Sequence, residues 1–325
     1  MQLAISGGIF FVPGEPHMTR LLPAIALLTL MIPLYAQSPG SAQEVRPKPD
    51  ATSGNWESAA WGKLPAGLEW EAASQVSTTP DGQIVVLRRA NPFFVVLTPA
   101  GDVVRTWGEN LFKVAHGLRI DRKGFLWVTD NSDNFVQKYS ADGKLLLTLG
   151  QRGVAGGNDS KTGFDGPADV FVLPDGDILV ADGYRNSRVV RFAADGTFKS
   201  IIGGTKGTEP GQFNVPHAVV ADSRGRIIVA DAENSRIQVF DPSGKFVEQW
   251  TDFTSKPRGS MYITPDDTLY VSHVDSESIS IMKNGKVLER VTGVGGRPHG
   301  VTIDRQGNMY VANPASRSVK KIVKK

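Results

Sequence analysis

From residue 65 onward the chain alternates short apolar runs with polar breaks. No long stretch keeps the 3.6-residue apolar period of an amphipathic helix. The runs are rich in Val, Ile and Phe and are punctuated by Asp-Gly, Lys-Gly and Ser-Gly pairs, which is the hairpin signal. One break recurs as TPDG (79–82), DRKG (121–124), LPDG (173–176), DSRG (222–225), TPDD (264–267) and DRQG (304–307). The last residues of these turns are 42, 52, 49, 42 and 40 positions apart. Each turn sits in the same unit: a head residue, an apolar strand, the turn, and a second strand ending in V-[AT]-D. A polar loop, a third strand, an [AP]-x-G turn and a fourth strand complete it. A period of about 40–50 residues with four strands per unit predicts an all-β fold, a six-bladed β-propeller over 65–325.

The sixth unit carries only three strands, at 299–304, 308–312 and 316–322. The N-terminal stretch near Leu68–Ala72 is expected to supply the fourth, an outer strand that closes the ring and removes a free sheet edge. Strand parity places the head residues and the V-[AT]-D loops on one face, near the axis. Both hairpin turns fall on the other face.

Upstream, residues 18–36 read as an address. Arg20 precedes the apolar run Leu21–Tyr35, and Ala36 is a small residue before a cleavage point, with Gly-Ser-Ala at 40–42 as a second candidate. The run is shorter than the ~20 residues that span a bilayer. Met18 can serve as the start, so 1–36 is read as upstream residues plus signal peptide, and 37–64 as a Pro/Ser/Gly/Ala-rich linker. The expected product is an exported monomer, periplasmic or secreted, with no membrane span in the mature chain.

Composition narrows the chemistry. The 325 residues contain no cysteine, which excludes a disulfide scaffold, a thiolate metal site and a cysteine nucleophile. Lys+Arg 36 against Asp+Glu 33 gives a net charge of +3, too little for a phosphate-tracking nucleic-acid binder.

The five histidines can be placed one by one. The head position, eight residues before each turn's end, holds Ser74, His116, Ala168, His217, Gly259 and His299. Histidine thus marks alternate blades, about 120° apart, and three imidazoles converge on the axis. Three neutral histidines with one open position match a catalytic zinc site. His273 stands where other units carry Asp130, Asp182 and Asp231, so it reads as a loop-bonding residue. His17 lies ahead of the mature chain. The loop after Asp182 brings Tyr184 to the same face as a candidate proton acceptor. The loop LRRANP offers Arg88 or Arg89 to a carboxylate.

DGYRNSRVVRF (182–192) and DAENSRIQVF (231–240) resemble NHL repeats. ENLFKVAHGLRIDRKGFLWVTD (109–130), FDGPADVFVLPDGDILVADGYRNSR (164–188) and PGQFNVPHAVV (210–220) resemble the peptidyl-α-hydroxyglycine α-amidating lyase family over about 70–325. The resemblance implies zinc on His116, His217 and His299, Tyr184 as base, and Arg89 (Arg88 by a one-residue slip) at the substrate carboxylate. It implies cleavage of a carbinolamide to an amide and glyoxylate, on a small molecule or peptide with a terminal carboxylate. The family's animal enzymes also hold a structural calcium, using an acidic residue after the third histidine; this chain has Gly300 there. They have an arginine where this chain has Ala232, and disulfides it lacks. The 64 residues ahead of the propeller are too few for the copper monooxygenase half that the family's larger enzymes carry. Two other readings compete. One is a non-catalytic NHL propeller that binds proteins or peptides. The other is a lactonase-like propeller, which the imidazole ligand set disfavours.

Overall fold

A computed structural model describes residues 54–253 and 255–325. Six four-stranded antiparallel sheets form among them. In five, the strands follow one another along the chain. In the sixth, the strand Trp56–Ala59 pairs with the last strand, Ser318–Lys324, setting Trp56 opposite Lys324 and Ala59 opposite Lys321.

The ring is therefore closed from the N-terminal side, but by different residues than expected. Leu68–Ala72 forms no strand, and the propeller begins inside the stretch read as linker. Trp56–Ala59 shows one buried aromatic followed by two exposed positions. That is an edge strand with too little alternation to stand out. Leu68 and Trp70 pack instead on the apolar cluster between the sixth and first blades. Trp61 stacks on Trp70 at 6.1 Å and meets Tyr310 edge-on at 5.0 Å. This segment ties first blade to last without a disulfide. The signal-peptide reading and the linker up to residue 53 lie outside the described residues.

The core consists of six apolar clusters, one between each pair of neighbouring blades. The second strands of five of the six blades are buried along their whole length, as in Ile178–Asp182 and Ile227–Asp231. They lie between two sheets and so read as continuous apolar runs. The recurrent turns share one hydrogen bond: the last residue donates its N–H to the carbonyl three residues back, at 2.9–3.0 Å in all six.

In the first four blades the head residue sits at an irregularity of its inner strand, whereas Gly259 and His299 lie just ahead of theirs, Met261–Ile263 and Gly300–Ile303. In Pro216–Ala221, Pro216 pairs with Asp231 and Ala218 with Ala230, leaving His217 as an extra residue. The same register shift spans Ser74, Ala168 and His116. A bulge re-aims the side chain it carries. Here that aim is the channel axis.

A candidate metal centre in the channel

The imidazoles of His116, His217 and His299 stand with ring centroids 4.7–5.3 Å apart. Their potential ligand nitrogens lie within 4.8 Å of one another, and all three residues are buried. Each Nδ1 donates to the carbonyl of the next blade's head residue: His116 to Ala168 at 2.7 Å, His217 to Gly259 at 3.1 Å, His299 to Ser74 at 2.8 Å. The six head positions thus work in pairs. Alternate blades supply an imidazole, and the intervening small residues supply the acceptor that fixes its tautomer. A proton held on Nδ1 leaves Nε2 as a lone pair facing the axis.

The Tyr184 hydroxyl lies 2.8 Å from His116 Nε2 and 3.1 Å from His217 Nε2. One phenolic proton can serve only one of these acceptors. His299 Nε2 makes no hydrogen bond to the protein among the described residues. Several lone pairs thus face one point with too few protons, an arrangement a cation relieves. The all-imidazole set suits zinc. The Tyr184 backbone reaches this place because Gly183 has no side chain: a Cβ there would fall 2.0 Å from the Pro216 carbonyl oxygen.

Arg88 and Arg89 part company. Arg88 ends its strand, is buried, and donates to the carbonyls of Glu69, Asn91 and Pro92. It holds the loop. Arg89 lines the cavity, with Nε donating to Ala115 O at 3.2 Å, next to His116. The cavity measures about 530 Å³ and is lined by Arg89, Tyr184, His217, His299 and the loops that follow the second strands. Sequence reasoning gave no role to Arg258, Arg297 and Glu233, which also line it. Glu233 pairs with Arg258 and with Lys256 at 2.9 Å, and Arg297 pairs with Asp275 at 3.1 Å. Their signal was positional, since Arg258 and Arg297 lie just before head residues. His273 bonds Ser255 O at 3.1 Å and Ser280 Oγ at 2.8 Å, away from the trio.

Burial, reinforced by neighbouring imidazoles and Arg89, holds His116 well below the usual histidine range. Burial likewise puts His217 at about 4, His299 at about 3 and His273 at about 4. Burial pushes the Tyr184 phenol up, while Arg89 and Arg258 pull it down. The histidine shifts lower the acid stability of the metal-free protein. Between the unfolded value near 6.5 and the folded values, the unfolded chain binds protons the folded chain refuses, so stability falls as pH falls. Each histidine contributes a slope of up to about 1.4 kcal/mol per pH unit. Denaturant unfolding at pH 7 and pH 5 should differ by several kcal/mol; equal values would contradict neutral burial of these rings.

The NHL repeat model matches residues 164–192 and 213–240. Human NHL repeat-containing protein 3 is 32% identical over 257 residues, covering 71% of this chain and 73% of the relative. A probable peptidyl-alpha-hydroxyglycine alpha-amidating lyase of Caenorhabditis elegans is 31% identical over 243 residues, covering 68% of this chain and 67% of the relative. Peptidyl-glycine alpha-amidating monooxygenase B of Xenopus laevis is 34% identical over 246 residues, covering 69% of this chain; the match spans only 28% of that longer protein. A solved Streptogramin B lyase aligns with a TM-score of 0.60 at 14% identity, covering 83% of this chain and 98% of that one, a likeness of fold alone.

Proposed function

Because this chain belongs to the NHL-repeat propeller family that includes NHL repeat-containing protein 3 and the peptidyl-α-hydroxyglycine α-amidating lyases, we propose that it is a zinc-dependent lyase. Its substrate would be a carbinolamide, R-CO-NH-CH(OH)-COOH. The observation that carries this reading is the convergence of three Nε2 lone pairs, one phenol and one arginine on a single cavity.

His116, His217 and His299 would hold the metal. Zinc bound there supplies Lewis acidity, which makes a neighbouring hydroxyl easier to deprotonate. Tyr184 Oη is the group placed to take the hydroxyl proton: burial holds its phenol protonated, Arg89 and Arg258 oppose that, and a cation on the histidines would add to their pull toward the charged form. The O–H bonding pair then forms the aldehyde C=O, and the C–N pair leaves with nitrogen. Tyr184 returns the proton to that nitrogen, giving the amide and glyoxylate. Arg89, which pairs with no carboxylate among the described residues, would orient the substrate carboxylate. A cavity of about 530 Å³ accepts a small molecule or the end of a peptide. The leader read at 18–36 would place this activity outside the cytoplasm. No helix among the described residues is long and apolar enough to cross a membrane.

The test is direct. Purified protein is analysed for metal and then given an α-hydroxyglycine-extended peptide. The expected result is about one zinc per chain and glyoxylate released in step with amide, above the uncatalysed background. Zinc without glyoxylate would reject the substrate. Neither zinc nor glyoxylate would favour a non-catalytic binding propeller.

A further inference from the structure

The channel layer next to the histidines already contains a cation. Arg119 lies three residues beyond His116 on the inner strand Ala115–Ile120. Its guanidinium donates to Asp169 through Nε at 3.0 Å and Nη2 at 2.5 Å, and to the Met261 carbonyl through Nη1 at 2.6 Å. Three blades meet on this group, the second, third and fifth. Asp169 also accepts from Val219 N at 3.1 Å, which brings in the fourth. The side chains of Arg119 and Asp169 are 13% and 3% exposed, so the pair is shielded from solvent. Burial pushes the Asp169 carboxyl up, and Arg119 pulls it back.

The partners of this guanidinium are a carboxylate and a carbonyl, the oxygen donors a hard divalent cation takes. The calcium implied by family resemblance needs an acidic residue at position 300. Gly300 cannot be replaced by one in place: a Cβ there would lie 2.7 Å from Gln75 Cα and 3.0 Å from Val76 N. Among the described residues no second group of three acidic or histidine side chains converges besides the histidine trio. A guanidinium held by a carboxylate together with carbonyl oxygens recurs at Arg188 and Arg236. Arg188 bonds Asp182 at 2.9 Å and the carbonyls of Asn158, Ser160 and Gly163. Arg236 bonds Asp231 at 2.8 Å and the carbonyls of Thr208, Glu209 and Gln212.

We propose that Arg119 is a built-in cation that does the work of a structural calcium, so that this propeller folds and holds its zinc site without one. The inference stands whether or not the substrate is a carbinolamide.

Thermal unfolding of the full chain tests it, in calcium-free buffer with zinc held constant and with CaCl2 added to millimolar levels. Wild type should melt at the same temperature in both and should contain no stoichiometric calcium. Arg119→Ala leaves Asp169 buried without its partner and should lower the midpoint by about 10 °C. Calcium should restore part of that loss, and adding Asp169→Asn should abolish the restoration. A wild-type midpoint that rises with calcium, or calcium bound stoichiometrically to wild type, would overturn the proposal. So would an Arg119→Ala loss that calcium leaves untouched. If that variant does not fold, the wild-type arm still decides.

Discussion

Replacing His217 by alanine should give a folded propeller that retains no stoichiometric zinc and releases glyoxylate at the background rate. The argument starts from ligand number. With three imidazoles, zinc keeps one open position; with two, the site offers half a tetrahedron. Losing an outer partner of a metal ligand already costs about 10–100-fold in affinity or activity, and losing the ligand itself costs more. The fold should survive, because His217 projects from a bulge into an open cavity rather than pairing in the ladder. Gly259 O loses its donor but borders a site that water can reach. Metal analysis and denaturation of the same preparation separate the two effects. A His217→Ala protein with full zinc and wild-type turnover would end the case for this centre.

Tyr184→Phe should behave differently. It keeps the ring and removes only the hydroxyl near His116 and His217. Turnover should fall by about 10²–10⁴, the contribution typical of a positioned proton-transfer group. Zinc content should stay near one per chain and the melting midpoint nearly unchanged. The pH–rate profile should also lose the limb that wild-type Tyr184 gives it. Wild-type kcat in the phenylalanine variant would remove tyrosine from the proton path and leave the metal assignment intact.

Much of this geometry was legible because a repeat turns sequence position into ring position. Counting eight residues back from each turn put His116, His217 and His299 on alternate blades, and the heads of the inner strands bring them together. The same alignment could have separated the two arginines. Arg88 occupies the position of Asp130, Asp182 and Asp231, residues that tie loops, whereas the next residue, Arg89, faces the cavity. What composition and periodicity could not disclose are the acceptors that orient the imidazoles. Ser74, Ala168 and Gly259 act through backbone carbonyls, which every residue type carries. The closing strand was misplaced for a related reason. An outermost strand buries one face at one or two positions, so Trp56–Ala59 carries almost no pattern. Arg119 was hidden by distance: its partners Asp169 and Met261 belong to other blades, 50 and 142 positions away.

The strand pairing that seals the sixth sheet joins Trp56–Ala59 to Ser318–Lys324. During synthesis the first five sheets can each form from a contiguous stretch. The sixth must wait until nearly the whole chain has emerged, and its closing contact carries the largest loop-closure cost of any in the ring. Until then the Trp56 strand has no partner and the ring stays open. Removing the residues ahead of Ala60 would leave that sheet with three strands and a free edge on its last strand.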